Sequence, residues 1–145
     1  MLDDNDLEEL KGAFERLLWG TRNIQSRYDS FKTSTKGFGT ATITEILSFI
    51  YPEEYGIWNN QARKALTYLG FKNEISFIKK SQLNGSEYSL FNQYLKEIRA
   101  ELLNLGVEDL DLLGINYFLF EVASHPEVIE DTKTGKPSKR LEPVS

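Results

Sequence analysis

Cysteine is absent from the chain. Disulfides, thiolate catalysis and zinc–thiolate sites are therefore excluded. Histidine is almost absent. His125 stands alone, so a catalytic pair built on imidazole has only this residue to use, and a multi-histidine metal site is excluded. Proline is sparse, and three of its four residues (Pro126, Pro137 and Pro143) lie beyond residue 125. No apolar run approaches the length of a membrane span, and the acidic opening residues lack the basic-then-apolar pattern of a secretory signal. No internal repeat is visible. The expectation is a cytoplasmic protein with no membrane partner and no cofactor.

The 145 residues are 40% hydrophobic and 12% aromatic, enough to build one domain around a buried core. The predicted organisation is a helical domain over residues 1–123 followed by a flexible tail over 124–145. The net charge of −5 argues against a strongly basic nucleic-acid protein, but its distribution is uneven. The first ten residues hold five acids and no base. Residues 11–36 hold Lys11, Arg16, Arg22, Arg27, Lys32 and Lys36 against only Glu15 and Asp29. The local field of this segment is thus opposite in sign to the whole chain. The plain alternative is a solvated helix face.

Apolar spacing predicts a mainly α, compact multi-helix fold. Leu7, Leu10, Phe14, Leu17 and Leu18 mark a helix over 6–19, with Asp6 as a candidate cap and a break at Gly20-Thr21. Ile24, Tyr28 and Phe31 mark a second helix to about residue 32. A third starts near Thr40 and ends at Tyr51-Pro52, because proline disfavours helix at the residue before it. Asn59 or Asn60 caps a fourth that stops at Gly70. Residues 74–80 fit either a strand or a short helix, which leaves room for a small β element. Ser86 or Ser89 caps the next helix, closed by Gly106. The last runs from about Glu108 to Ala123, apolar on nearly every side and therefore expected at the centre.

The stretch Lys36-Gly37-Phe38-Gly39-Thr40-Ala41-Thr42 carries the most chemistry. Glycines relax the backbone and remove bulk beside a ligand. The helix that follows presents N–H groups and the positive end of its dipole, an arrangement suited to phosphate. The alternative is a turn that only ends one helix and starts the next. Aromatic residues are interleaved with the cations: Trp19 and Tyr28 on the first helices, Phe38 in the turn, and Tyr51, Tyr55 and Trp58 beyond it. Rings that stack on bases, beside cations that follow phosphates, are what a single strand requires. For any one ring, a core position is the competing role. Glu53-Glu54 resemble a carboxylate pair, but neighbouring side chains on a turn diverge. Glu108, Asp109 and Asp111 fit a helix N-terminus better than a metal site. His125 is expected at the surface.

Gly37-Phe38-Gly39-Thr40-Ala41-Thr42, with Glu45-Ile46-Leu47, Tyr51-Pro52-Glu53-Glu54-Tyr55-Gly56-Ile57-Trp58-Asn59 and Ala65-Leu66, resembles the helix-hairpin-helix-like segment of DNA glycosylases and restriction-associated proteins. It is also similar to a segment of archaeal single-stranded-DNA-binding proteins of the ThermoDBP type. Leu112-Leu113-Gly114-Ile115-Asn116-Tyr117-Phe118-Leu119-Phe120 is similar to the aromatic helix that follows in such proteins. The resemblance implies a helix-hairpin-helix centre and a DNA-binding role, with a link to repair. It implies no activity. Glu53, Glu54, Arg63 and Lys64 do not map onto the catalytic Asp and Lys of the glycosylases, and Thr40 replaces the usual proline or small apolar residue.

The expected function is non-enzymatic binding of nucleic acid, single-stranded DNA above all. Phosphates are assigned to Lys36, Gly37, Gly39, Thr40 and Thr42 of the turn and to Arg27, Lys32, Arg63 and Lys64. Phe38 and Trp58 are assigned to stacking. A homodimer or larger assembly is compatible with the sequence. The rival reading is a non-catalytic protein-interaction or accessory module of a defence or repair system.

Overall fold

The computed structural model describes residues 4–125, which form six helices and no strand. These are α1 (Asp4–Trp19), α2 (Ile24–Ser34), α3 (Thr40–Ile50), α4 (Asn60–Tyr68), α5 (Gly85–Asn104) and α6 (Leu112–Ser124). The mainly α expectation holds. No helix among the described residues is long and apolar enough to cross a membrane. The tail expected from residue 124 lies outside the described residues from 126 onward. Ser124 itself still belongs to α6.

The helix ends follow local chemistry. Asn23 caps α2 by accepting from the Ser26 amide at 2.9 Å, and Asn59 caps α4 through the Ala62 amide at 2.9 Å. At α5 the cap is Asn84, not Ser86 or Ser89. Its side chain accepts from the Glu87 amide while Glu87 accepts from the Asn84 amide, both at 2.9 Å. A cap reinforced by a reciprocal bond from three residues on outcompetes a lone serine. Burial would raise the Glu87 carboxyl, but its bonds to Lys80 and to the Asn84 amide outweigh that and hold it below its ordinary value. At α6 the helix starts four residues later than its acidic cluster suggests, because only Asp111 caps it, through the Gly114 amide at 2.7 Å. Asp109 instead takes a positive φ of 58° in the preceding turn. Residues 74–80 are turns, neither strand nor helix.

The main packing places α1 on α2, α2 on α5, and α6 against α4, α5 and α3. The last helix is therefore shared by three others, although Tyr117 on it faces solvent. Consecutive in the chain, α2 and α3 find their main partners elsewhere, α2 on α1 and α5 and α3 on α6. An aromatic centre joins the layers. Tyr28 stacks on Tyr88 at 5.4 Å between centroids, and Trp58 meets Phe91 edge-on at 4.9 Å. Burial pushes the Tyr28 phenol up to about 12, partly offset by its 2.6 Å hydrogen bond with Thr40.

Through this core runs the extended segment Gly56-Ile57-Trp58, all three residues buried. It has no neighbouring strand to satisfy its backbone, and side chains do so instead. Asn92 accepts from the Gly56 amide and Asn116 from the Ile57 amide, each at 2.8 Å. The Asn116 amide group returns a bond to the Ile57 carbonyl at 2.9 Å, and Tyr88 donates to the Gly56 carbonyl at 2.8 Å. Thr44 accepts from the Trp58 amide at 3.0 Å. Gly56 is required by space: a Cβ there would overlap Leu95 Cδ1. The buried polar residues Thr44, Asn92 and Asn116 thus hold α3, α5 and α6 to one strand of chain.

Candidate functional site

The glycine turn is built into the fold more deeply than its sequence suggests. Gly37 has φ of +84°, a left-handed conformation that glycine adopts without strain. Gly39 is the N-cap of α3, with ordinary extended φ of −87° and no side chain to cap with. Gln82 supplies the missing cap from a distant loop. Its Oε1 accepts from the Thr40 amide at 3.0 Å and from Lys32 Nζ at 2.9 Å. The Thr40 hydroxyl is buried between Tyr28 and the Leu83 amide, which donates to it at 2.9 Å. Of the first three amides of α3, Thr40 is thus occupied from within, and those of Ala41 and Thr42 have no bond among the described residues. Thr42 is exposed.

The two aromatic assignments are corrected. Phe38 does not stand out from the turn. It packs edge-on against Phe14 at 5.5 Å and Phe31 at 5.6 Å, half-buried beside the core. Trp58 is fully buried, its indole N–H donating to the Lys80 carbonyl at 2.8 Å, so no face of the ring is open to a base. Its position on the buried crossing segment decides this.

The cations divide into fastened and exposed. Arg27 donates to the Leu17 carbonyl and the Arg22 carbonyl, both at 2.7 Å, and to the Tyr55 hydroxyl at 3.0 Å. A cation on the last carbonyls of α1 complements the negative end of that helix, and its role is to fix the α1–α2 connection. Arg63 ties α4 to the loop after it through the Ile78 carbonyl at 3.2 Å, the Lys79 carbonyl at 3.3 Å and Asn60 at 3.0 Å. Lys64 is exposed, 6.0 Å from the Tyr68 ring centroid. Lys36 is exposed and makes no bond among the described residues. Lys32, Gly39 and Thr40 meet around Gln82, whereas no hydrogen bond or ring contact links Arg63 or Lys64 to residues 36–42. Glu53 and Glu54 diverge to different cations of α5, Arg99 at 3.3 Å and Lys96 at 3.2 Å. Exposed His125 lies 3.6 Å from Glu121.

A different concavity is better furnished. Between α1 and α2 lies a groove of about 300 Å³. Ala13 and Phe31 are its buried apolar lining residues, and Arg16, Arg22 and Arg27 line it as well. Ser26, Ser30 and Ser34 also line it. They recur every four residues, so they fall on one face of α2. Arg16 and Arg22 are exposed and make no side-chain hydrogen bond or ion pair among the described residues. Arg16 lies back along α1, its Nη1 3.2 Å from where a Cβ on Gly12 would stand. Gly20, Thr21 and Arg22 of the α1–α2 connection also line the groove, and the chain is packed so tightly there that a Cβ on Gly20 would overlap the Arg16 carbonyl oxygen. Next in the chain to Gly20 is Trp19, 65% exposed.

The serine face is the part of this site that motif reading misses. Its signal is in the sequence as Ser26, Ser30 and Ser34 at helical spacing beside Arg22, a pattern hidden by attention to the glycines. Among the described residues no three His, Asp or Glu side chains gather as metal ligands. Comparison with family models, curated proteins and solved structures finds no match for the chain.

Proposed function

We propose that this protein binds nucleic acid without acting on it chemically, with single-stranded DNA its preferred form, and that the α1–α2 groove is the contact surface. The observation that carries this reading is the pair Arg16 and Arg22, two exposed arginines lining one groove whose side chains make no hydrogen bond or ion pair among the described residues, with the 65% exposed Trp19 next in the chain to the lining residue Gly20. Guanidinium donors match phosphate oxygens in geometry and charge. The hydroxyls of Ser26 and Ser30 add neutral donors, and Trp19 offers a ring to a base that is not already stacked in a duplex. Lys36, also exposed, follows the lining residue Ser34 by two positions in the chain. The helix-hairpin-helix character of the Thr35–Gly39 connection belongs to the same proposal.

Fluorescence anisotropy with a labelled oligothymidylate at low salt tests it. Tight binding is expected, weaker for a duplex of equal length. Trp19→Ala is expected to cost about tenfold, within the range of one base–aromatic stack. Absence of binding at low salt, or duplex binding indifferent to Trp19, overturns the proposal. It would then favour the accessory-module reading, which draws on the exposed Leu103, Leu105 and Val107 where α5 ends.

A further inference from the structure

Where α5 ends, apolar side chains stand in solvent on a fixed backbone. Leu103, Leu105 and Val107 are exposed, and Leu105, at 79%, is the most exposed large apolar residue among those described. The turn that carries them is closed by two bonds. The Gly106 amide donates to the Leu103 carbonyl and the Val107 amide to the Leu102 carbonyl, each at 3.0 Å. With Gly106 at φ of +94°, this is the paired closure of a helix by a left-handed glycine. Acids flank the apolar residues in the chain: residues 100–111 hold Glu101, Glu108, Asp109 and Asp111 and no base. Asp111 caps α6. The carboxylates of Glu101, Glu108 and Asp109 are exposed and make no hydrogen bond or ion pair among the described residues. Ordered, exposed apolar side chains beside unpaired charges are features of a protein interface.

The charge selects the occupant. Two copies of this turn facing each other would set like charges together, which disfavours symmetric pairing through it. Its complement is the α1–α2 groove of the same chain. The lining of that groove holds Arg16, Arg22 and Arg27 and no acid, together with the buried apolar residues Ala13 and Phe31. The side chains of Arg16 and Arg22 make no hydrogen bond or ion pair among the described residues, as those of the three acids make none. We propose that the 103–109 turn of one copy docks in the α1–α2 groove of a second copy, with Leu105 against the apolar lining and Glu101, Glu108 and Asp109 facing Arg16 and Arg22. The contact joins two different surfaces. Each pair of copies therefore keeps one free turn and one free groove, and association runs head to tail unless a ring closes. This goes beyond strand binding and does not rest on it. Because a docked turn takes Arg16 and Arg22, association and strand binding exclude each other at one groove.

Sedimentation equilibrium of the full chain, free of nucleic acid, tests the inference. The wild-type mass is expected to exceed that of a monomer and to rise with concentration. Leu105→Glu and Arg22→Glu should each weaken association by about thirtyfold or more, the cost of losing an interface anchor. Both side chains are exposed, so both variants should keep the wild-type thermal transition. Mixing the two variants separates head-to-tail docking from any other mode. Leu105→Glu retains an intact groove and Arg22→Glu an intact turn, so an equal mixture should form a one-to-one dimer and nothing larger. A wild-type chain that stays monomeric up to its highest soluble concentration overturns the proposal. Association that survives in Arg22→Glu or in Leu105→Glu alone also overturns it, because another surface then carries the contact. A mixture no heavier than its separate parts does the same.

Discussion

Glu87 shows how one side chain can serve two partners. It closes the capping box of α5, accepts two bonds from Lys80 at 2.8 Å, and so fastens the loop before α5 to its first turn. Its carboxyl is held below the ordinary 4.5 in the folded chain. The unfolded chain therefore binds the proton more readily, and folding is stabilised wherever Glu87 is ionised. That contribution is present above the unfolded value and is lost as pH falls through the lower native one. Glu87→Gln is expected to cost about 1 kcal/mol at neutral pH. The gap to wild type should close on acidification below the ordinary carboxylate range. Urea melts across that range measure it, and a gap that stays constant with pH contradicts the role given to the charge.

At the scale of elements, the segment Gly56-Ile57-Trp58 organises the fold. It is buried and extended without a sheet, so its polar groups depend on Asn92, Asn116, Tyr88 and Thr44. Asn116→Leu preserves approximate size but strips the Ile57 amide and carbonyl of their partners. A loss of about 3 kcal/mol is expected from two orphaned groups, measured by denaturant unfolding. The exposed neighbouring change Tyr117→Leu should stay within about 0.5 kcal/mol. Comparable effects from both would mean that the hydrogen bonds contribute little. These long-range dependencies are what local reading missed. Helices were legible wherever apolar spacing ran against a clear stop, as at Thr40–Ile50 before Pro52. Asn59 was legible as a cap because its amide partner is three residues away. Gln82, which caps α3 from forty-two residues along the chain, leaves no local trace. Trp58 looked like a stacking residue for the same reason, since its burial is decided by Phe77 and Phe91, which come later in the chain.

Taken as a whole, the molecule is acidic yet carries one basic concavity, and the uneven charge of the first thirty-six residues is the part of that site the sequence made visible. What it concealed is that Arg27, Arg63 and Lys32 are engaged in holding the fold, while Arg16 and Arg22 line the groove with no side-chain hydrogen bond or ion pair among the described residues. The distinction arises from the loop at Gly20–Asn23, where Arg27 turns inward to the carbonyls and Arg22 does not. The most direct test is the salt dependence of binding to a short oligothymidylate, compared between the wild-type chain and Arg16→Ala/Arg22→Ala. Each phosphate contact on a single strand contributes about 0.7 to the slope of log affinity against log salt. The expected result is a steep slope for the wild type and one shallower by about 1.4 in the double variant, with both proteins folded. Binding that ignores salt, or the same slope in both proteins, would contradict the assignment of phosphate contact to this groove.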